Sequence, residues 1–245
     1  MASAWDKAPA PRFIAEASSN HGRDLSRALA FVDAAADARC DAVKFQLFKI
    51  DRMFAPEILL QSARHRARSE WELPVAHLAP IAEHCARRGI AFSCTPFYVE
   101  AVEELRPFVD FYKIASYELL VAPLLKACAA TGKPIVLSTG MATIEEIGKA
   151  VSVLKSAGAV DVTLLHCVSA YPTPPGEANL SAIAAIRNAT GCPVGWSDHT
   201  RKPSVIERAV HHWDASVVEF HLDLDGRGAE YASGHCWLPE EIAPV

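Results

Sequence analysis

The stretch Pro134-Ile-Val-Leu-Ser-Thr-Gly140, followed by Thr143-Ile-Glu-Glu146 and then by Val162-Thr-Leu-Leu-His-Cys-Val168, decides the fold. Two short runs rich in β-branched and apolar residues bracket Thr143–Ala157, whose apolar residues recur at helical spacing. Thr143 stands as an N-cap with Glu145 and Glu146 in the first turn, where the helix dipole favours acids, and Gly158 follows as a helix stop. Strand, helix and strand in that order read as one parallel unit joined by a right-handed crossover.

The same unit recurs outward in both directions. Strand-like runs fall at Phe13–Ser18, Ala42–Phe48, Ala91–Phe97, Phe111–Ser116, Pro134–Gly140, Val162–Val168, Pro193–His199 and Val217–Asp223. Helical stretches lie between them at Leu25–Arg39, Pro74–Arg88, Pro123–Ala130 and Leu180–Asn188, with Gly89, Gly132 and Gly191 just after helical ends. Eight such units close a (β/α)8 barrel of the TIM type, and the length of 245 residues suits one. An open doubly wound sheet is the alternative, but no glycine-rich dinucleotide fingerprint follows the first strand. The expected organisation is an N-terminal tail over residues 1–12 and a barrel domain over residues 13–245. Leu238–Val245 begins an eighth outer helix that reads as truncated. The longest connection contains Asp51–Leu73 with Arg52, Arg64, Arg66 and Arg68; it is expected as a loop over the barrel mouth, the plainer reading being a solvated basic face.

Composition narrows the function classes. Lysine and arginine number 24 against 29 aspartates and glutamates, a net charge of −5, which argues against a nucleic-acid binder or an anionic-membrane binder. No apolar run approaches the roughly 18 residues of a membrane span, and the N-terminus lacks the apolar stretch of a secretory signal. The seven cysteines are odd in number and scattered without C-x-x-C spacing. That pattern argues against a disulfide scaffold or a structural zinc site and fits a reducing cytoplasm.

In a (β/α)8 barrel the active site is built where the strands end, so polar residues closing each run are the candidates. They are Glu16, Ser18 and Asn20; Lys44 and Gln46; Ser93 and Thr95; Lys113, Ser116 and Glu118; Ser138 and Thr139; His166, Ser169 and Tyr171; Ser197, Asp198 and His199; Glu219, His221 and Asp223. Lys44 and Gln46 lie two apart and point to one side, as do Glu219, His221 and Asp223, which makes inward polar ladders. An inward lysine needs a partner to offset its desolvation. Lys44 and Lys113, with the hydroxyls of Thr95, Ser116, Ser138 and Ser197 on neighbouring strands, suit a phosphate and a carboxylate on one small ligand. Two other readings stand beside it: each lysine pairs with a local acid, Lys113 with Glu118 for instance, or one of them forms a Schiff base. His199 and His221 end adjacent strands, where two imidazoles come within reach of one divalent ion acting as a Lewis acid on a carbonyl. The alternative for each is a satisfied core histidine.

Seven segments together carry a family resemblance: Phe13-Ile-Ala-Glu-Ala-Ser-Ser-Asn-His-Gly22, Asp41-Ala-Val-Lys-Phe-Gln46, Ser93-Cys-Thr-Pro-Phe97, Tyr112-Lys-Ile-Ala-Ser116, Leu137-Ser-Thr-Gly-Met141, His166-Cys-Val-Ser-Ala-Tyr-Pro-Thr-Pro174 and Gly195-Trp-Ser-Asp-His-Thr200. The chain closely resembles the sialic acid (N-acetylneuraminate) synthase family, in order, from about Phe13 to His221. Those enzymes condense phosphoenolpyruvate with an N-acylated hexosamine such as N-acetylmannosamine, giving a nine-carbon 2-keto acid that serves cell-surface polysaccharide biosynthesis. The resemblance implies a catalytic barrel, a divalent metal (Mn2+ or Mg2+) and a homodimer. It implies that Lys44, Thr95, Lys113, Ser116, Ser138 and Ser197 bind phosphoenolpyruvate, with Ser169 where the family often has Asn. His199 and His221 would hold the metal against the sugar's aldehyde oxygen. Glu16, Gln46 and Tyr171 would contact the open-chain sugar, and Glu118 would orient or deprotonate water. Glu16, Glu118 and Lys113 are thereby the expected catalytic residues.

The match departs after His221. The stretch Leu222-Asp-Leu-Asp-Gly-Arg-Gly-Ala-Glu-Tyr-Ala-Ser-Gly-His-Cys-Trp-Leu238 differs from the family's usual Gly-Pro-Asp-type loop. Glu230 is the candidate for the family's sugar-contacting acid there, with Asp223 and Asp225 as alternatives. The sequence corresponds to the barrel and not to the C-terminal antifreeze-like domain of typical members. The leading expectation is therefore a phosphoenolpyruvate-dependent synthase; a Schiff-base aldolase or lyase, or a non-catalytic barrel that binds a partner protein, are its competitors.

Overall fold

The computed structural model describes Trp5 and residues 10–245. Among the described residues are eight strands: β1 (Arg12–Ser18), β2 (Ala42–Leu47), β3 (Ala91–Pro96), β4 (Phe111–Ile114), β5 (Ile135–Ser138), β6 (Val162–Cys167), β7 (Val194–Asp198) and β8 (Val217–His221). Each pairs in parallel with the next and β8 pairs with β1, so the sheet closes into the expected (β/α)8 barrel. Every strand coincides with a run read from the sequence, with ends differing by at most two residues.

Around the barrel lie α1 (Leu25–Asp37), α2 (Leu78–Arg88), α3 (Val99–Leu105), α4 (Ala122–Ala130), α5 (Ile144–Ser156), α6 (Ala182–Thr190) and α7 (Pro203–Trp213), and a single turn, α8 (Pro239–Ile242), follows β8. Local chemistry sets their ends. Asp24 caps α1 by accepting from the Arg27 amide at 2.8 Å. Thr143 and Glu146 form a reciprocal capping box at α5, Glu146 Oε2 accepting from the Thr143 amide at 2.8 Å. The helix expected over Pro74–Arg88 is split: Val75–His77 is a 3-10 turn and α2 starts at Leu78. Pro80 has no amide hydrogen to bond back into that first turn, so an α-helix cannot run through it unbroken.

The pleat explains the interior. Ile14, Ala42, Ala91, Phe111, Val136, Leu165 and Val217 face inward low in the barrel and form one buried apolar cluster with Trp5. Two residues further along the same strands stand Glu16, Lys44, Ser93, Lys113, Ser138, Cys167 and Glu219, all buried. Intervening residues such as Ala15, Val43, Phe45 and Phe92 join the larger core between barrel and helices. The barrel therefore has an apolar floor and a polar upper layer, with functional groups carried above packed hydrocarbon. On β7 the inward low position is Gly195, where a Cβ would stand 2.1 Å from the Val217 carbonyl oxygen; only glycine lets β7 and β8 approach there.

The tail expected over residues 1–12 falls mostly on residues 1–4 and 6–9, which lie outside the described residues; Trp5 itself is 1% exposed beneath the barrel. Its ring stacks on Phe111 with centroids 4.0 Å apart, and the Arg12 guanidinium lies 4.6 Å from its centre. The excursion after β2 is folded rather than open, with short helical turns at Ile50–Met53, Pro56–Gln61, Ala63–Arg66 and Ala67–Trp71. Its arginines hold it to itself: Arg66 donates to the Leu59 carbonyl at 2.6 Å, and Arg68 lies over the rings of Phe54 and Trp71. Arg23, just after β1, donates to the Ser69 carbonyl at 2.6 Å and ties the excursion to the barrel mouth. All seven cysteines are free and buried, and among the described residues no helix is long and apolar enough to cross a membrane.

Because Trp5 is the largest side chain of the floor, Trp5→Ala should destabilise the protein by about 3–5 kcal/mol. Urea unfolding followed by circular dichroism measures this, and Trp5→Phe should recover most of the loss.

Candidate active site

At the mouth, the inward residues of the polar layer bond to one another. Lys44 and Glu16 form a close ion pair, and the Lys44 Nζ donates to Thr95 Oγ1 at 3.2 Å. Glu219 sits between the two lysines: Lys113 Nζ lies 3.3 Å from its Oε1 and Lys44 Nζ 3.8 Å from its Oε2. Ser197 donates to Glu219 Oε1 at 3.1 Å. Gln46 donates to Glu16 Oε1 at 2.9 Å and to Ser18 Oγ at 3.0 Å, and Ser18 in turn donates to Glu230. Strand spacing brings these groups together: Glu16 is in register with Lys44 on β2, and Ser197 with Glu219 on β8.

The electrostatics follow from burial and pairing. Burial alone would raise the Glu219 carboxyl, but Lys113 and Lys44 outweigh it and pull it down to about 2. Burial likewise disfavours the charged form of Lys44, yet Glu16 and Glu219 overcome that and raise its pKa. Among the described residues Lys113 forms an ion pair with Glu219 alone, and burial leaves its pKa lowered. Lys113 does not pair with Glu118, the alternative the sequence offers: it reaches across the barrel to Glu219, while Glu118 sits on the 3-10 turn Ser116–Glu118 beyond β4. The Glu118 Oε2 is buried without a hydrogen bond, and burial pushes this carboxyl up to about 7 against the pull of Lys113.

A second group is rich in hydroxyls. Ser116 accepts from the Gly140 amide at 2.9 Å and contacts Cys167 Sγ at 3.2 Å. A Cβ at Gly140 would lie 2.8 Å from both Cys167 Sγ and Ser169 Oγ, so glycine allows three strand ends to converge. Ser138 Oγ is buried and carries no hydrogen bond. Burial raises the Cys167 thiol, which leaves it a packing neighbour rather than a nucleophile.

Two residues above Ser197 and Glu219 on the same strand faces stand His199 and His221, with ring centroids 5.4 Å apart. The Val168 carbonyl lies 2.9 Å from His199 Nδ1; a carbonyl can only accept, so Nδ1 carries the hydrogen and Nε2 keeps its lone pair. Burial lowers the His199 pKa to about 3, which keeps the imidazole in its neutral, ligating form. Tyr171 covers the pair, 4.1 Å from the His199 ring, and is partly exposed at the mouth. Beside His221, at 3.2 Å, is Glu230 Oε2. Two imidazoles side by side next to a carboxylate fit a divalent first-row ion. Of the acids considered after His221, Asp223 and Asp225 are both bound by Arg27 at 2.9 Å, and only Glu230 joins the site.

Three contributors were not given roles by the sequence. Glu219 was visible as an inward strand-end acid, but only the fold shows it bridging both lysines. Asp198 accepts from Thr200 Oγ1 at 2.7 Å and from the Trp237 indole at 3.1 Å, which fixes the end of β7 to the loop after β8. His235 lies on that irregular loop, where no periodicity marks a site, and reaches a ring-centroid distance of 4.5 Å from His221.

The NeuB family pattern matches residues 31–244 of the chain. The chain belongs to the NeuB family. It is 38% identical over 225 residues to the N,N'-diacetyllegionaminic acid synthase of Campylobacter jejuni, covering 86% of this chain and 67% of that protein. Against the spore coat polysaccharide biosynthesis protein SpsE of Bacillus subtilis identity is 34% over 228 residues, covering 88% and 61%. A crystal structure of N-acetylneuraminic acid (sialic acid) synthetase from Leptospira borgpetersenii superposes with a TM-score of 0.88 at 33% identity, covering 97% of this chain and 81% of that one. A truncated 3-deoxy-D-arabino-heptulosonate 7-phosphate synthase from Thermotoga maritima shares the barrel fold, with a TM-score of 0.73 at 15% identity. The chain thus spans roughly three-fifths to two-thirds of the length of the curated NeuB relatives it matches.

The raised Glu118 carboxyl has a thermodynamic consequence. Its folded-state pKa of about 7 exceeds the ordinary 4.5, so the native state binds this proton more tightly than the unfolded chain. That contribution is complete at low pH and is lost as pH rises through about 7. Glu118→Gln should therefore flatten the fall in urea midpoint between about pH 5 and about pH 8, measured alongside the parent protein.

Proposed function

We propose that this chain is the catalytic barrel of a synthase that condenses phosphoenolpyruvate with an N-acylated hexosamine, of the N-acetylmannosamine type, to a sialic-acid-like nine-carbon 2-keto acid and phosphate. The observation that carries the reading is a layer of two buried lysines and strand-end hydroxyls bridged by Glu219, two residues below His221 on β8, with His199 beside it. NeuB membership and the similarity to the legionaminic acid and sialic acid synthases support the same chemistry.

In this reading Lys44 and Lys113, with Thr95, Ser116, Ser138, Ser169 and Ser197, fix the carboxylate and phosphate of the donor. The unbonded Ser138 hydroxyl and the Ser116–Ser169 cluster lie on the side of the ring served by Lys113 and away from Glu16, where an anion meets least repulsion. Glu16, Gln46 and Tyr171 hold the open-chain sugar at the mouth, with Glu230 closing the far side. His199 and His221 would hold a divalent ion, Mn2+ or Mg2+, whose chemistry is to polarise the aldehyde oxygen. C3 of phosphoenolpyruvate attacks the aldehyde carbon held above it, forming the new C–C bond while the C=O π pair moves to the aldehyde oxygen and positive charge is left at C2; the two protons of the water that follows end on that oxygen and on the departing phosphate. Water adds at C2; Glu118, poised near neutrality, takes its proton. The C2–O bond to phosphate then breaks, releasing inorganic phosphate and the 2-keto acid. Fixing both reactants at near-attack distance is the main contribution of the lysines and hydroxyls.

A Schiff-base lyase has one observation in its favour, the lowered pKa of Lys113. The 3.3 Å contact with Glu219 opposes it, because the carboxylate favours the protonated amine. The seven buried free cysteines support a cytoplasmic setting, and the homodimer is carried over from the family resemblance.

The test is phosphate release from phosphoenolpyruvate across a panel of N-acylated hexosamines, with Mn2+ and with chelator. Release that needs both sugar and metal is expected. Sugar-independent release, or borohydride trapping of substrate on Lys113, would reject the synthase reading.

A further inference from the structure

We propose that the divalent ion of this site is held not by His199 and His221 alone but also by Glu230 and His235, both supplied by the loop between β8 and α8. The proposal rests on the reading of the two strand-end histidines as a metal pair and extends that pair to a pre-built set of three nitrogens and one carboxylate.

The geometry is compact. Ligand-capable atoms of His221, Glu230, His235 and Cys236 all lie within 4.8 Å of one another. Glu230 Oε2 stands 3.2 Å from His221 Nδ1 and 3.6 Å from His235 Nε2. Ligands bound to one ion at about 2.0–2.2 Å are themselves about 3.0–3.6 Å apart, so these separations are those of neighbours in a coordination shell. His221 Nδ1 is buried and, even at 3.2 Å from the carboxylate, lacks the alignment of a hydrogen bond; His235 Nδ1 is buried and unbonded as well. His199 flanks this group, its ring centre 5.4 Å from that of His221 and 6.2 Å from that of His235.

The loop is fixed before any ion arrives. Leu222 and Trp237 form a parallel bridge, with the Trp237 amide donating to the His221 carbonyl at 2.8 Å. Asn20 accepts from the Glu230 amide at 2.8 Å and donates to the Leu222 carbonyl at 3.0 Å. A Cβ at Gly228 would fall 2.3 Å from Asp223 and 2.4 Å from Asn20, so the chain there can only be glycine. Ligands locked this way lose little entropy on binding, and imidazoles with one carboxylate suit Mn2+, Fe2+ or Co2+ with positions left open for substrate oxygens. Cys236 borders the set, but its Sγ is engaged by the Asn20 amide at 3.7 Å, and we leave it out.

Chelator-treated protein is titrated with Mn2+ alone by calorimetry, and with Co2+ by visible absorption, with no sugar or phosphoenolpyruvate present. The parent protein should bind about one ion per chain, with His235→Asn and Glu230→Gln each weakening Mn2+ by tenfold or more and Cys236→Ser leaving it unchanged. The Co2+ d–d bands should move in His235→Asn, a change that loop loosening alone does not produce, and thermal melts of the metal-free variants verify that they are folded. Parent-like affinity and spectra in both loop variants, together with loss in His221→Asn, would overturn the extension and leave the histidine pair standing. No binding by the parent would overturn both, and a thiolate-to-cobalt band would overturn the nitrogen and carboxylate set.

Discussion

Glu219 holds two buried ammonium groups, and the upper half of the barrel depends on that contact. Burying one unpaired lysine costs several kcal/mol, and this barrel buries Lys44 and Lys113 at 3% exposure each. Glu16 and Glu219 balance them charge for charge, and Thr95, Gln46 and Ser197 tie the ring to its neighbours. The apolar floor with Trp5 makes the arrangement possible, because it closes the barrel from below and leaves the charged layer open only toward the mouth. A charge-matched ring also sets terms for a ligand. An anion must compete with the two carboxylates for the lysines, and it gains most beside Lys113, which among the described residues is ion-paired with Glu219 alone.

Much of this was legible because a strand alternates strictly. Lys44 lies two residues above Ala42, Lys113 two above Phe111 and Glu219 two above Val217, so a correct strand assignment places each charge inside and each apolar residue beneath it. The family motifs fall on those same strand ends, which is why the lysines, hydroxyls and both histidines read from the sequence converge in space. Pairing was less legible than placement. Lys113 had a nearby acid in Glu118, and nothing in the linear order says that its long side chain crosses to β8 instead.

The loop after β8 was the least readable part, for a physical reason. Its position comes from tertiary contacts, an Asn20 side chain, a Leu222–Trp237 bridge and an indole bond to Asp198, none of which leaves a periodic trace. Asp223 and Asp225 looked as suitable as Glu230 until Arg27 claimed both of them. This chain departs from the family resemblance where the barrel's register no longer dictates where a side chain points. The proposed metal ligands Glu230 and His235 arise in that region.

The central claim is that the lysine layer is a binding site for an anionic three-carbon donor. Calorimetric titration of phosphoenolpyruvate into the metal-free protein tests it most directly, with Lys113→Met and Lys44→Met run beside the parent. The account predicts saturable binding by the parent and at least about tenfold weaker binding by each folded variant, the scale of one charge-assisted bond. Equal affinity in all three proteins would contradict it and would mean that the lysines serve the barrel's stability alone.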